Sequence, residues 1–205
     1  MLNIRCVKVG LLGTNCYLVS NSNDVIVIDP GASFNKINEL IKGKNLVAVL
    51  LTHGHFDHIG ALQELIDTYH PVVYCHIKDK VLVENGKANG STLGSRVLIE
   101  VLNGVTYFSD SINIEGFNIK TIYTPGHTKG CVSYLFDDEY MFTGDFLFKG
   151  VVGRTDLYNA SESLMKDSCK KIIKYSDDIV IYPGHGDSTT LKDEKENNEY
   201  LKKRG

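Results

Sequence analysis

Four side chains able to hold a metal crowd into six positions of this chain: His53, His55, Asp57 and His58. Imidazole nitrogen and carboxylate oxygen are donors for zinc, iron or manganese, and the cluster contains no cysteine whose thiolate would favour zinc. Three more residues of the same kind close later turns: His127 in IYTPGH (122–127), Asp145 in YMFTGD (140–145) and His185 in IYPGH (181–185). The first cluster also follows an apolar run, in LLTHGHFDH (50–58). Of the seven histidines in the chain, all but His70 and His76 fall in these turns, and scattered surface histidines would have no reason to follow strands. One His-Gly-His could arise by chance; the joint pattern points to metal.

Such ligands need rigid support, and loops at strand ends are where distant parts of an α/β chain converge on a site. The hydrophobic pattern predicts an opening meander of strands at 4–9, 15–20 and 25–29, stopped by Asp29-Pro30-Gly31. A helix is expected over 35–42, and VAVLLT (47–52) is a continuous apolar run of the kind a strand buried on both faces shows. Helices are then expected at 59–69 and 78–85, a strand at 71–75, and a Gly/Asn/Ser-rich loop at 86–95. The second half predicts strands at 105–108, 112–115, 117–124, 132–136, 140–143 and 179–183, and a helix at 161–175. Gly54, Gly126, Gly144 and Gly184 stand beside the ligand types, where the absence of a side chain permits a tight turn. The charged tail LKDEKENNEYLKKRG, with Leu191, Tyr200 and Leu201 as apolar anchors, reads as a solvated helix face. No linker or fixed-period repeat breaks the chain, so one domain over 1–205 is expected.

His53-x-His55-x-Asp57-His58, followed in order by His127, Asp145 and His185, resembles the H-x-H-x-D-H signature and remaining ligand positions of the metallo-β-lactamase superfamily. The resemblance spans nearly the whole chain. It implies an α/β fold, the αβ/βα four-layer sandwich of two mixed β-sheets flanked by helices. It also implies that His53, His55 and His127 bind one ion, that Asp57, His58 and His185 bind a second, and that Asp145 bridges them. The cofactors so implied are two divalent metal ions, Zn²⁺ first, with iron or manganese as alternatives. Two such ions roughly 3.5 Å apart can share a water, lower its pKa towards neutrality and polarise a substrate carbonyl. Asp57 would orient that bridging hydroxide and take its proton.

GDFLFKGVVGRTDL (144–157) and PGHGDSTTLKDEKENNEYL (183–201) are similar to segments of the short glyoxalase II-like, or hydroxyacylglutathione hydrolase-like, subfamily, which implies hydrolysis of a small thioester. Arg154 stands where that family has a lysine on the glutathione glycyl portion, and Asp156 replaces a tyrosine there. The chain also ends before the extra helical domain that completes the glutathione site, so a loosely specified thiol is expected. A neighbouring branch of persulfide dioxygenases shares the G-R-T-D stretch and uses one iron on the matches of His53, His127 and Asp145. A non-enzymatic metal-binding scaffold ranks last, because seven ligands leave open positions on two metals. True β-lactamase activity is not expected, since secreted enzymes need a signal sequence.

Composition agrees with a small-molecule enzyme. With 42% hydrophobic and 23% charged residues, 205 residues suffice for a sizeable core. A net charge of −3 supplies no basic field for nucleic acid or acidic lipid. The five cysteines, Cys6, Cys16, Cys75, Cys131 and Cys169, are scattered and odd in number, which suits reduced thiols in the cytoplasm. No signal peptide, no apolar run of about 18 residues and no membrane partner are read. The N-x-S matches at Asn89 and Asn159 are taken as chance. Arg154 suits two roles equally, gripping a substrate carboxylate or pairing with Asp156. His70 and His76 read as structural, and Phe146 and Phe148 as aromatic packing, one of them near the substrate.

Overall fold

The computed structural model describes residues 2–95 and 98–202, which form two compact units, 2–109 and 110–202. The first carries a six-stranded mixed sheet of β1 (Asn3–Val9), β2 (Thr14–Ser20), β3 (Asp24–Ile28), β4 (Asn45–Leu50), β5 (Val72–His76) and β6 (Val105–Phe108), in that order. β1 to β3 form the antiparallel meander; β3 to β6 run parallel, joined by crossovers. Helices α1 (Phe34–Ile41), α2 (Phe56–Ile59), α3 (Leu62–Tyr69), α4 (Lys80–Glu84) and α5 (Ser91–Gly94) lie in those connections. Ile37 and Ile41 of α1 and Leu62 and Leu65 of α3, each on one helix face, join Val25, Val27, Val49 and Val73 of the sheet in one buried cluster.

The second unit holds β7 (Ile119–Tyr123), β8 (Val132–Phe136), β9 (Tyr140–Gly144), the small ribbon β10 (Leu147–Phe148) with β11 (Val151–Val152), helix α6 (Glu162–Ile172), β12 (Val180–Pro183), β13 (Thr189–Thr190) and helix α7 (Leu191–Asn197). Its sheet runs β13-β12-β9-β8-β7, with β9 and β12 parallel and the other pairs antiparallel. Ser161 caps α6, its hydroxyl accepting from the Leu164 amide, and Glu162 in the first turn with Lys170 and Lys171 in the last complement the helix dipole. Met165, Cys169 and Ile172 of that helix pack with Met141, Ile181 and Leu191. No helix among the described residues is long and apolar enough to cross a membrane.

Several expectations change. The helix expected at 59–69 is two, because a Cβ on Gly60 would lie 2.2 Å from the Gly31 carbonyl oxygen and the Ala61 amide leaves the helix to donate to Pro30. Residues 112–115 form only a bridge between Ile114 and Phe117, and the loop at 86–95 contains α5. The strand expected at 47–52 ends at Leu50, since the Thr52 amide donates to the Asp29 side chain instead of a ladder partner. The tail is not wholly solvated. Glu194 is buried and accepts from the Gly150 amide, the Thr189 hydroxyl and the Asn198 amide group, while Tyr200, expected as an anchor, is exposed. Residues 203–205 of that tail lie outside the described residues.

Candidate metal centre

In the first unit, Asp29 organises the histidine-rich turn. It leaves the end of β3 with φ +53°, is buried, and receives three protons: from the Thr52 amide at 2.8 Å, the Thr52 hydroxyl at 2.6 Å and His58 Nδ1 at 2.9 Å. The Thr52 hydroxyl, its proton committed to Asp29, accepts in turn from His53 Nδ1 at 3.1 Å. Both rings therefore carry their proton on Nδ1 and present the Nε2 lone pair, the form in which imidazole ligates a metal. The His53 ring centroid lies 4.1 Å from that of His58 and 4.8 Å from that of His55, and all three side chains are buried. Asp57 sits in the first turn of α2, one carboxylate oxygen accepting from the Thr14 hydroxyl at 2.9 Å and lying 3.5 Å from His58 Nε2. Asp79, also buried, takes the Gly54 amide at 3.0 Å and holds the turn from beneath.

In the second unit the ligand types come from three turns. His127 Nδ1 donates to the Arg154 backbone carbonyl at 2.9 Å, which fixes the same tautomer as in His53 and His58. Asp145 follows β9 and His185 follows β12; these strands are parallel neighbours, and the Gly184 amide donating to the Gly144 carbonyl at 2.8 Å ties the two turns together. One oxygen of Asp145, Oδ2, lies 3.6 Å from His127 Nε2 and 3.6 Å from His185 Nε2. A carboxylate so placed between two imidazoles suits one that holds two cations. Imidazoles, three of them held through Nδ1, and carboxylates are donors that fit divalent zinc, iron or manganese.

Arg154 and Asp156, both exposed, form a two-pronged ion pair with N–O distances of 2.7 and 2.8 Å, and the guanidinium draws the Asp156 pKa down to about 2. Phe146 is buried core, while the Phe148 ring lies 6.2 Å from that of His185. His70 ends α3 in the left-handed region, and His76 Nδ1 accepts from the Lys78 amide. A Cβ on Gly54 would come within 2.7 Å of Leu82 and one on Gly126 within 2.6 Å of Met165, so neither position has room for a side chain. Asp29, Asp79, Gly31 and Gly153 were missed. A Cβ on Gly31 would stand 1.6 Å from the Asp57 carbonyl oxygen, and one on Gly153 1.8 Å from that of Asp145. Asp29-Pro30-Gly31 reads as an ordinary turn, and nothing local in the sequence distinguishes its aspartate as a support for histidine.

The model of the metallo-beta-lactamase superfamily matches residues 9–185. The chain belongs to that superfamily. Its fold is the superfamily's α/β fold, seen here as two mixed sheets with their helices. A probable metallo-hydrolase of Bacillus subtilis, YqgX, is 35% identical over 96% of both chains, and the hydroxyacylglutathione hydrolase GloC of Haemophilus influenzae is 32% identical over 98% of both. Among solved structures, the B3 metallo-beta-lactamase BLEG-1 is 31% identical with a TM-score of 0.91, covering 97% of this chain and 99% of its own. TTHA1623 in a di-iron-bound form is 32% identical with a TM-score of 0.86, covering 96% and 100%.

Proposed function

We propose that this superfamily member is a binuclear hydrolase of small thioesters. The observation that carries the reading is the shared tautomer of His53, His58 and His127, each ring held by its Nδ1 proton so that Nε2 is the ligating atom. Superfamily membership supports taking the residues of both units as one ligand set on one domain. In that set His53, His55 and His127 would hold one ion, Asp57, His58 and His185 the other, and Asp145 would serve both. The position of Asp145 Oδ2 between His127 and His185 supports the bridge. The di-iron form of TTHA1623 makes iron a candidate beside zinc and manganese.

Two divalent ions so held would supply a water acidic enough to attack near neutral pH and positive charge for a developing oxyanion. The remaining work falls to the chain. Thr14 fixes one oxygen of Asp57, so the carboxylate is oriented to accept a proton from the attacking water. The water oxygen forms the new C–O bond, the C–S bond breaks, and the departing thiolate takes a proton to leave as the thiol. Arg154, exposed on its loop, would exchange Asp156 for a carboxylate on the substrate. GloC supports the thioester class; the B3 metallo-beta-lactamase BLEG-1 marks the competing amide chemistry. Protein purified without added metal and given a thioester panel, a β-lactam and, with oxygen uptake followed, a persulfide tests the reading. Thioester turnover with neither of the others supports it; β-lactam or persulfide turnover without thioester turnover rejects it.

A further inference from the structure

The first unit holds a cavity of about 650 Å³ whose lining is mostly apolar and whose one charged group among the described residues is Asp57. Leu11 and Leu12, on the turn between β1 and β2, line it together with Leu93 of α5 and Ile99. Leu11 is 98% and Leu93 86% exposed, and Leu12 is 55% exposed. Isolated surface leucines need no explanation, but three around one cavity beside a candidate catalytic carboxylate do. Phe56, the residue before Asp57, lines the same cavity, and its ring packs so closely on α5 that a Cβ on Gly94 would come within 2.3 Å of its Cζ. The turn that lifts Leu11 and Leu12 is set by its flanking glycines, Gly10 and Gly13, both at φ +67°.

From this geometry we infer that the cavity is an acyl-chain subsite, which selects thioesters with an apolar acyl group of several carbons. The inference rests on the thioester reading above and adds the class of substrate. Asp57 is both the group assigned to the attacking water and part of the cavity wall, so an acyl carbon under attack there has its chain directed among the leucines. Among the described lining side chains only Asp57 bears charge and only Ser95 adds a hydroxyl, so the subsite offers no cation to a charged acyl chain, while each methylene withdrawn from water contributes to binding.

The test is kcat/KM for acetyl, butyryl, hexanoyl and octanoyl thioesters of a single thiol, on the wild type and on the L11S/L93S double variant. Half-burial of each methylene gives about twofold, hence roughly fiftyfold from acetyl to octanoyl in the wild type. An octanoyl-to-acetyl ratio above about ten that falls at least fivefold in the double variant supports the subsite; any other pair of ratios overturns it. A second copy of the chain covering the leucines is one such overturning outcome, and would show in sedimentation as a dimer lost in the double variant. If no thioester is hydrolysed, the functional reading fails, and the subsite is judged by binding alone. Methyl resonances of Leu11, Leu12 and Leu93 that shift with octanoate and not with acetate then support it, and unmoved resonances overturn it.

Discussion

The two units hold their candidate ligands by different means. In the first, four of them follow one another within six residues, and a buried side chain, Asp29, orients the turn. In the second, three residues come from three turns, and backbone carbonyls orient them: that of Arg154 for His127 and that of Gly144 for the turn of His185. The units also share a device. In each, a glycine lies where the backbone carbonyl of the candidate carboxylate ligand fills the space of its missing Cβ, Gly31 against Asp57 and Gly153 against Asp145. A side-chain support can be removed by one substitution, whereas a backbone support cannot, so the two halves should respond differently to mutation.

The largest expected effect is at Asp145, the one residue assigned to both ions. Asp145→Ala should lose metal and thioester hydrolysis together, with kcat/KM down at least about a thousandfold, because the bridge both holds and neutralises the pair. Elemental analysis beside the rate assay decides this; a full metal complement with full rate removes the assignment.

Next comes the contrast between supports. Asp29→Asn keeps the size of the side chain but weakens its hold on His58 and Thr52, and should lower metal affinity by about 10–100-fold. Arg154→Ala leaves the carbonyl that orients His127 in place and should change affinity by less than about threefold. Competition with a chelator measures both, and equal losses would break the comparison.

The same contrast explains what could be read in advance. His53, His55, Asp57 and His58 were legible because they are contiguous, and His127, Asp145 and His185 because each ends an apolar run at a glycine. Asp29 was not legible, since its three donors come from Thr52 and His58, which only the parallel pairing of β3 with β4 brings to it. Glu194 misled for the same reason. In a run of charges it has the pattern of a solvated helix face, yet Gly150 and Thr189, neighbours through folding alone, give it donors that permit burial. The helix break at Gly60 likewise follows from contact with Gly31, which lies far away in sequence.

The shared device predicts equal responses. Gly31→Ala and Gly153→Ala each force a methyl group onto a carbonyl oxygen and should each destabilise the protein by about 3 kcal/mol or more, read as the shift in urea midpoint. A loss confined to one of them would show that the two turns are not equivalent.

The smallest effect expected is at the exposed pair. Hydrogen bonding to Arg154 lowers the Asp156 pKa from 3.8 to about 2, so the contribution of the pair is complete above the ordinary carboxylate value and fades as pH falls through about 2. A carboxyl carbon titration of Asp156 should give that low midpoint in the wild type and an ordinary one in Arg154→Ala, with little change in stability because both side chains are solvated.

The central claim, that one set of ligands from both units holds two ions for hydrolysis, is tested most directly by titrating metal-free protein with zinc or iron while following the initial rate of thioester hydrolysis. The account predicts no rate without metal and a rise that reaches its plateau at about two ions per chain. A rate already present in the metal-free protein, or one that metal never restores, would contradict it.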